Sequence, residues 1–470
     1  MSFRYEFGFG EAAVETVNPA NPSEKIGRYG MTSAGDMGRI IDQANAAQAI
    51  WAKVPGLERS QRLNAFIDAV EARADELATA GTLEQGKLFR ESKGETMKSC
   101  AEGRFSVGEA ARMGAMAIAS GRAGFSNQIL RRPRGVIFCI SPWNFPISTP
   151  MRKICPALAF GNAVVMKPSQ FTPAANFLLA EIAKEFFPEN LIQVAMVSGR
   201  VASEVVASGE VHGVSFTGSV PTGKLVYAAA AQNLIPVQLE LGGKNGAILN
   251  DTDDLDGAIT QILGAAFMTS GQRCTAISRV IVHKDLASEA KELLAAKASA
   301  MKLGSGMEAE TDMGPLCNLQ HWKDVSSETE KAIAEGAQAL TGGSAPGAPE
   351  DGYFYTPTIL GGVEHQSIAG QTEIFGPVLS VLEYETFDQA MEMLNGTEFG
   401  LTSALFSNRN DLIQRFLAES QNGMIHVNHG TVPDNNMPFG GIKNSGVGAY
   451  SVGSTAVNFY TSEHSAYIAW

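Results

Sequence analysis

"GVSFTGSVPTGKL", residues 213–225, sets a short apolar run directly before a glycine turn and a proline. Its first five residues are a short run rich in β-branched and aromatic side chains, followed by a glycine turn, and Pro221 suits the first turn of a helix. Strand, tight turn and helix in immediate succession form one half of a βαβ unit. The stretch resembles a P-loop through Gly218, Gly223 and Lys224, but Leu225 stands where Ser or Thr would hold Mg²⁺, so an ATPase is rejected. The strict G-x-G-x-x-G fingerprint is absent as well. What remains is either a helix N-terminus that favours a bound phosphate or a plain tight connection, and the stretch alone does not choose.

The same rhythm extends on both sides. "GVIFCI", "NAVVMK", "LIQVAMV" and "VQLEL" alternate with helical or turn segments from about residue 135, which predicts a largely parallel, doubly wound sheet. After about residue 243 the pattern restarts with "GAIL", "SRVIVH", a helix near 286–301, "YFYTPTIL", "PVLSVLEY", "SALFS" and "MIHVN". Upstream, residues 36–53 read as a helix capped by Asp36, with Ile40, Ile41, Ala44, Ala47, Ile50 and Trp51 on one side. A second helix is expected near 58–80, burying Leu63, Phe66, Ile67 and Val70. "TGGSAPGAPEDG" (341–352) reads as a surface loop, and no internal repeat is found. The last residues, "NFYTSEHSAYIAW", predict one more strand, either an intramolecular edge or an extension of a partner's sheet.

At 470 residues the chain is too long for one simple core, which predicts two large domains with a small appendage. Its net charge of −13, spread along the chain, argues against nucleic acid or an anionic membrane as partner. The five cysteines have neither disulfide nor metal spacing, as expected of reduced thiols and no metal. "MSFRYEFGFGEAAVETVNPANP" lacks the pattern of a signal peptide, and no apolar stretch reaches spanning length. A cytoplasmic protein is expected.

Four side chains stand out for chemistry. In "TSGQRCTA" (269–276), Cys274 sits in a polar, glycine-punctuated stretch beside Arg273, whereas a packing cysteine usually lies in an apolar run. "VVMKPSQFTP" puts Lys167 at the carboxyl end of a strand, where open α/β sheets bind ligands, with a solvated lysine as the plain alternative. "SPWNFPISTPMR" holds Asn144 between two aromatics and two prolines, rigid enough to donate to an oxyanion, although a turn asparagine is the commoner case. "QLELGGKN" places Glu240 in an apolar strand, where it is either ion-paired or a base of raised pKa.

Taken in order, PWNFP, KPSQ, FTGS, ELGGKN, GQRC, EIFGP and PFGGIKNSG resemble the NAD(P)-dependent aldehyde dehydrogenase superfamily along essentially the whole chain. The pocket pattern looks most like succinate semialdehyde and lactaldehyde dehydrogenases. The resemblance implies a Rossmann-like cofactor domain (1–114 and 134–242), an α/β catalytic domain (243–445) and a small β oligomerisation element (115–133 and 446–470). It implies Cys274 as the nucleophile, its pKa lowered by Arg273 or a helix N-terminus, Asn144 as an oxyanion donor, and Glu240 as the base that hydrolyses a thioester. Trp143, Lys167, Gln170, Gly218, Ser219, Glu373 and Phe375 would contact NAD or NADP. Gln170 stands where many NAD-preferring relatives carry an acid, so NADP should at least be tolerated. Ala449 and Tyr450 replace a familiar Arg-Glu pair, which removes a second glutamate from the site.

Arg152 and Arg273, with Phe145, would form the substrate pocket, and two guanidiniums predict an anionic tail, since Arg binds such groups bidentately. A small acidic semialdehyde such as succinate semialdehyde is the expected substrate; lactaldehyde, glycolaldehyde and a sulfonated aldehyde are the alternatives. Met268 replaces an arginine found in some succinate semialdehyde enzymes. A CoA-acylating relative is disfavoured by Glu240, and a catalytically silent binding protein by the presence of Cys274, Glu240 and Asn144. A homodimer or homotetramer is expected.

Overall fold

In a computed structural model that describes residues 3–8 and 12–470, the strands sort into two large sheets and three small ones. The expectation of no signal peptide falls partly on residues 1, 2 and 9–11, outside the described residues. In the first large sheet the spatial order is Gly446–Val447, Val237–Glu240, Gly213–Thr217, Val136–Ile140, Ala163–Lys167 and Ile192–Val194. All are parallel except Gly446–Val447, which pairs antiparallel with Val237–Glu240. Every residue of Val136–Ile140 is buried, because helices cover both faces of a parallel sheet. From that strand the chain adds two neighbours on one side, then returns to place Gly213–Thr217 on the other. That reversal opens a crevice at the carboxyl ends of the strands.

The second large sheet runs Gln338–Thr341, Thr358–Gly361, Val378–Tyr384, Arg279–His283, Gly246–Leu249, Thr402–Phe406 and Met424–Val427, with only Gln338–Thr341 antiparallel. Alternation governs its packing: Ala247 and Leu249 join one apolar cluster and Ile248 the other, on opposite faces. Residues 241–245 alone link Val237–Glu240 to Gly246–Leu249. The carboxyl ends of the first sheet therefore meet the amino ends of the second.

Several expectations need adjusting. The first helix is Ala34–Trp51, and Ser33, not Asp36, caps it, accepting from the Asp36 N–H. Ile50 points to solvent while Met37 is buried, a shift of the apolar stripe. The helix expected over 58–80 is two, Gly56–Ala72 and Ala74–Gln85, because Arg73 leaves helical geometry at φ −103° and ψ 23°. Leu63, Phe66, Ile67 and Val70 are fully buried.

Thr461–Ala469 pairs antiparallel with Phe125–Pro133 of its own chain, and Met116–Ile118 lies on that strand's other side. The segment 446–470 is not one element, however. Gly446–Val447 edges the first large sheet, and Phe459 and Tyr460 are buried in its core. Large apolar side chains hold this part down, and only Thr461–Ala469 departs. Among the described residues, no helix is long and apolar enough to cross a membrane.

Candidate active site

A cavity of about 910 Å³ lies where the two sheets meet. The first sheet contributes Trp143, Asn144 and Phe145 after one strand, Gly218 and Ser219 after another, and Glu240 at the end of a third. The second contributes Cys274 ahead of Arg279–His283, and Glu373 and Phe375 ahead of Val378–Tyr384.

Cys274 is presented by an unusual turn. Thr269, Ser270 and Gly271 all adopt left-handed backbone angles, with φ of 57°, 57° and 71°. Left-handed non-glycine residues cost of order 1–3 kcal/mol each and persist only when the surroundings over-determine them. Here they do. The Thr269 N–H donates to Glu91, the Ser270 hydroxyl to the Gly314 carbonyl, and the Cys317 N–H to the Gln272 amide oxygen. A Cβ at Gly271 would sit 2.1 Å from the Gly376 carbonyl oxygen, so the position requires glycine. Burial pushes the Cys274 thiol up to about 11, with Arg152 and Arg273 opposing and Glu240 and Glu373 adding to the rise. The thiol of the free enzyme is therefore protonated at neutral pH. Arg273 does pull its pKa down, but desolvation outweighs it, which corrects the expectation of a lowered pKa.

Glu240 is buried, and burial raises its pKa to about 8 against the pull of Lys153 and Arg152. Among the described residues, none hydrogen-bonds to its Oε2. Asn144 is buried too, and its Nδ2 donates to the Gln272 carbonyl at 2.9 Å, two residues before Cys274. A thiol, an amide donor and an unpartnered carboxylate oxygen thus line one cavity.

The pattern of the aldehyde dehydrogenase family matches residues 9–465. This chain belongs to the aldehyde dehydrogenase family. It is 33% identical over 460 residues to the alpha-ketoglutaric semialdehyde dehydrogenase of Bacillus subtilis (strain 168), covering 97% of this chain and 94% of that one. To a betaine aldehyde dehydrogenase of Cereibacter sphaeroides it is 35% identical over 459 residues, again covering 97% and 94%. The crystal structure of betaine aldehyde dehydrogenase from Staphylococcus aureus in complex with NAD⁺ superposes with a TM-score of 0.94 at 31% identity, covering 97% and 91%.

The dehydrogenase has a cradle that fits a dinucleotide. The helix Val220–Ala231 follows the turn Gly218–Ser219, and no side chain caps its N-terminus, leaving N–H groups for an anion. A Cβ at Gly218 would lie 2.6 Å from the Phe216 ring, and one at Gly242 only 2.0 Å from Glu373 Oε2. The second glycine admits the Glu373 carboxylate, whose Oε1 accepts from the Gly243 N–H at 2.8 Å. Burial raises the pKa of Glu373 to about 7. Phe375 is left-handed at φ 57°, and its carbonyl is 2.9 Å from His321 Nε2. Burial lowers the pKa of His321 to about 4, so the ring is neutral and Nε2–H must be the donor. Trp143 stands edge-on to Phe375 with ring centres 5.7 Å apart. Lys167 and Gln170 lie outside the cavity wall; Lys167 donates to the Pro168 carbonyl, and Gln170 is exposed in the turn beyond it.

The expected pair of free guanidiniums is not there. Arg152 lines the cavity but is spent on Glu102, Nε to Oε2 at 2.6 Å and Nη2 to Oε1 at 2.8 Å, and stacks over the Phe439 ring. Arg273, buried, donates among the described residues to the Thr275 hydroxyl and the Met268 sulfur. A cation that sequence reasoning missed lies nearby: Lys98 donates to the Pro433 carbonyl, and burial lowers its pKa to about 8. Lys153 was missed as well. Its ammonium is buried against the Ser215 and Thr217 hydroxyls at 2.8 and 3.1 Å, with its pKa lowered to about 8. A lysine embedded in the apolar run "KICPALAF" was the available signal. His321 left none, since "NLQHWKD" reads only as the start of a helix.

Proposed function

We propose that the enzyme oxidises a small acidic semialdehyde to the dicarboxylic acid, with Cys274 as nucleophile, Asn144 as oxyanion donor and Glu240 as base. The observation that carries this reading is the buried, unpartnered Oε2 of Glu240 in the cavity that Cys274 and Asn144 also line. With a thiol pKa near 11 and a carboxyl near 8, Glu240 is the group beside Cys274 suited to take its proton as the thiolate attacks the aldehyde carbon. Addition converts the carbonyl oxygen to an alkoxide. Asn144 Nδ2, released from Gln272, and the Cys274 N–H donate to it, each donor worth about 3 kcal/mol in comparable sites. The cofactor, when bound, supplies the hydride acceptor that turns this adduct into a thioester. Gly218 and Ser219 would hold its pyrophosphate, Glu373 the nicotinamide ribose, and Trp143 and Phe375 would flank that end, with Lys167 and Gln170 at the adenosine end. Glu240, once it has passed the thiol proton to solvent, then draws the proton from the water that hydrolyses the thioester.

The acidic tail is supported by Arg273 and Lys98, two cavity cations that have no carboxylate within ion-pair distance among the described residues, and by the alpha-ketoglutaric semialdehyde relative. A cationic substrate like the betaine aldehyde of the other relatives would meet repulsion from both. The test is a kinetic screen of short semialdehyde carboxylates, neutral aldehydes and betaine aldehyde with both cofactors. The acids should lead in kcat/KM by about tenfold or more, the worth of one charge-assisted hydrogen bond. Arg273→Leu should erase that lead through KM. A preference for betaine aldehyde would defeat the substrate assignment.

A homodimer or homotetramer is supported by the outer edge of Thr461–Ala469, unpaired among the described residues, and by Met116, Tyr467 and Trp470, which are 61%, 70% and 88% exposed. Light scattering should give a multiple of the chain mass; a monomer would contradict it.

A further inference from the structure

We infer that the buried ion pair Lys87–Glu95 positions Asn144 for catalysis, an inference that rests on the oxyanion role proposed above. Lys87 Nζ lies 2.7 Å from Glu95 Oε2, and the two side chains are 0% and 1% exposed. The same ammonium donates to the Asn144 backbone carbonyl at 2.7 Å and sits 4.0 Å above the Phe145 ring. Glu95 uses its other oxygen to accept the N–H groups of Ile147 and Ser148, both at 2.8 Å. Those N–H groups open the helix Ser148–Ala159, which has no side-chain cap of its own residues. One ion pair therefore grips residues 144, 147 and 148, on both sides of Pro146.

Lys87 is itself fixed. Its N–H donates to Gln85 Oε1 at 2.9 Å, and its carbonyl is closed over by Gly306, where a Cβ would come within 2.2 Å. The grip thus spans both sides of the cavity, since Gly306 belongs to the chain beyond Cys274.

Stability is a poor reason for such a pair. Desolvating two ions costs about as much as their attraction returns, and apolar replacements of buried pairs are often neutral. Geometry is the better reason. A donor to a developing charge must be held within about 0.5 Å of its productive place. The Asn144 side chain has rotational freedom about χ1 and χ2, so its accuracy depends on the backbone beneath it. Lys87 lies behind the cavity wall and Glu95 within it, and neither is hydrogen-bonded to Cys274 or to the Asn144 side chain, so both are positioning residues.

A double-mutant cycle tests this. The pair is neutralised by Lys87→Met with Glu95→Gln, which keeps an amide oxygen for the Ile147 and Ser148 N–H groups and leaves no buried charge. In the parent enzyme this should lower kcat by about tenfold to a hundredfold, the scale of an ångström-sized misplacement, with KM nearly unchanged. In the Asn144→Ala background, already down by about a hundredfold or more, the same change should cost less than about twofold. The rate of Cys274 alkylation by iodoacetamide should match the parent's, showing an intact cavity. Lys87→Arg, still able to donate to the Asn144 carbonyl, should recover most of kcat and serves if the neutral pair folds poorly. Equal losses in both backgrounds, or no loss in the parent, would overturn the inference while leaving the oxyanion role standing. If Asn144→Ala alone leaves turnover intact, the oxyanion role fails and this inference with it.

Discussion

Arg152 and Glu102 meet side-on in the cavity wall, joined by two parallel hydrogen bonds of 2.6 and 2.8 Å, with side chains 15% and 4% exposed. Removing one partner of such a pair strands the other charge. Arg152→Leu should therefore destabilise the fold by about 3–5 kcal/mol. It should also lower kcat/KM for acidic and neutral aldehydes alike, because the loss is in the wall and not in a contact to the tail. Denaturant unfolding beside kinetics with a semialdehyde carboxylate and propanal checks this. A selective rise in KM for the acid with unchanged stability would mean that Arg152 binds the substrate after all.

The pH profile follows from Glu240. Its pKa is raised to about 8, and the base role proposed for it needs the deprotonated form, so activity should be lost as pH falls. Where thioester hydrolysis limits turnover, kcat should drop about tenfold per pH unit well below 8 and level off above it. Glu240→Gln should remove that limb along with most of the turnover. A profile flat from pH 6 to 9 in the parent enzyme would contradict the assignment.

Gln170 is the residue at which we propose cofactor choice is set. It is exposed at the carboxyl end of Ala163–Lys167 and brings no negative charge to repel a 2′-phosphate. NADP should support turnover, and Gln170→Glu should lower kcat/KM for NADP by about tenfold, one like-charge contact at a solvated site, while sparing NAD. A parent preference for NAD above roughly a thousandfold, ~4 kcal/mol, would contradict this.

What the sequence made legible, and what it hid, has a physical pattern. Cys274, Glu240 and Asn144 sit beside Gly and Pro, and the backbone constraints that bring them into one cavity are written in those residues. The parallel strands declare themselves through β-branched runs. Lys98 and Glu102, by contrast, are spaced like any solvated i,i+4 pair on a helix. Their burial comes from the packing of Phe89–Ala111 against Gly56–Ala72, Ala74–Gln85 and Ser148–Ala159, which no local pattern encodes. Phe89–Ala111 itself went unread because it has no clear apolar stripe: it packs on several sides with small and polar residues such as Ser92, Thr96 and Ser99. The left-handed Thr269 and Ser270 run against local preference and are fixed by partners far away in the chain. The pairing of Arg152 was likewise invisible, since Glu102 lies 50 residues away.

In the proposed mechanism an acyl group passes through the Cys274 sulfur, and Glu240 directs water to release it. Acid-quenched intact-protein mass spectrometry of the Glu240→Gln variant, mixed with cofactor and aldehyde, tests this most directly. Because Glu240→Gln also removes the base that takes the thiol proton, one equivalent of reduced cofactor should form slowly and then stop, with the chain heavier by one acyl group, mapped by peptide analysis to Cys274 and absent in a Cys274→Ser variant. Reduced cofactor without any adduct, or steady turnover by Cys274→Ser, would contradict it.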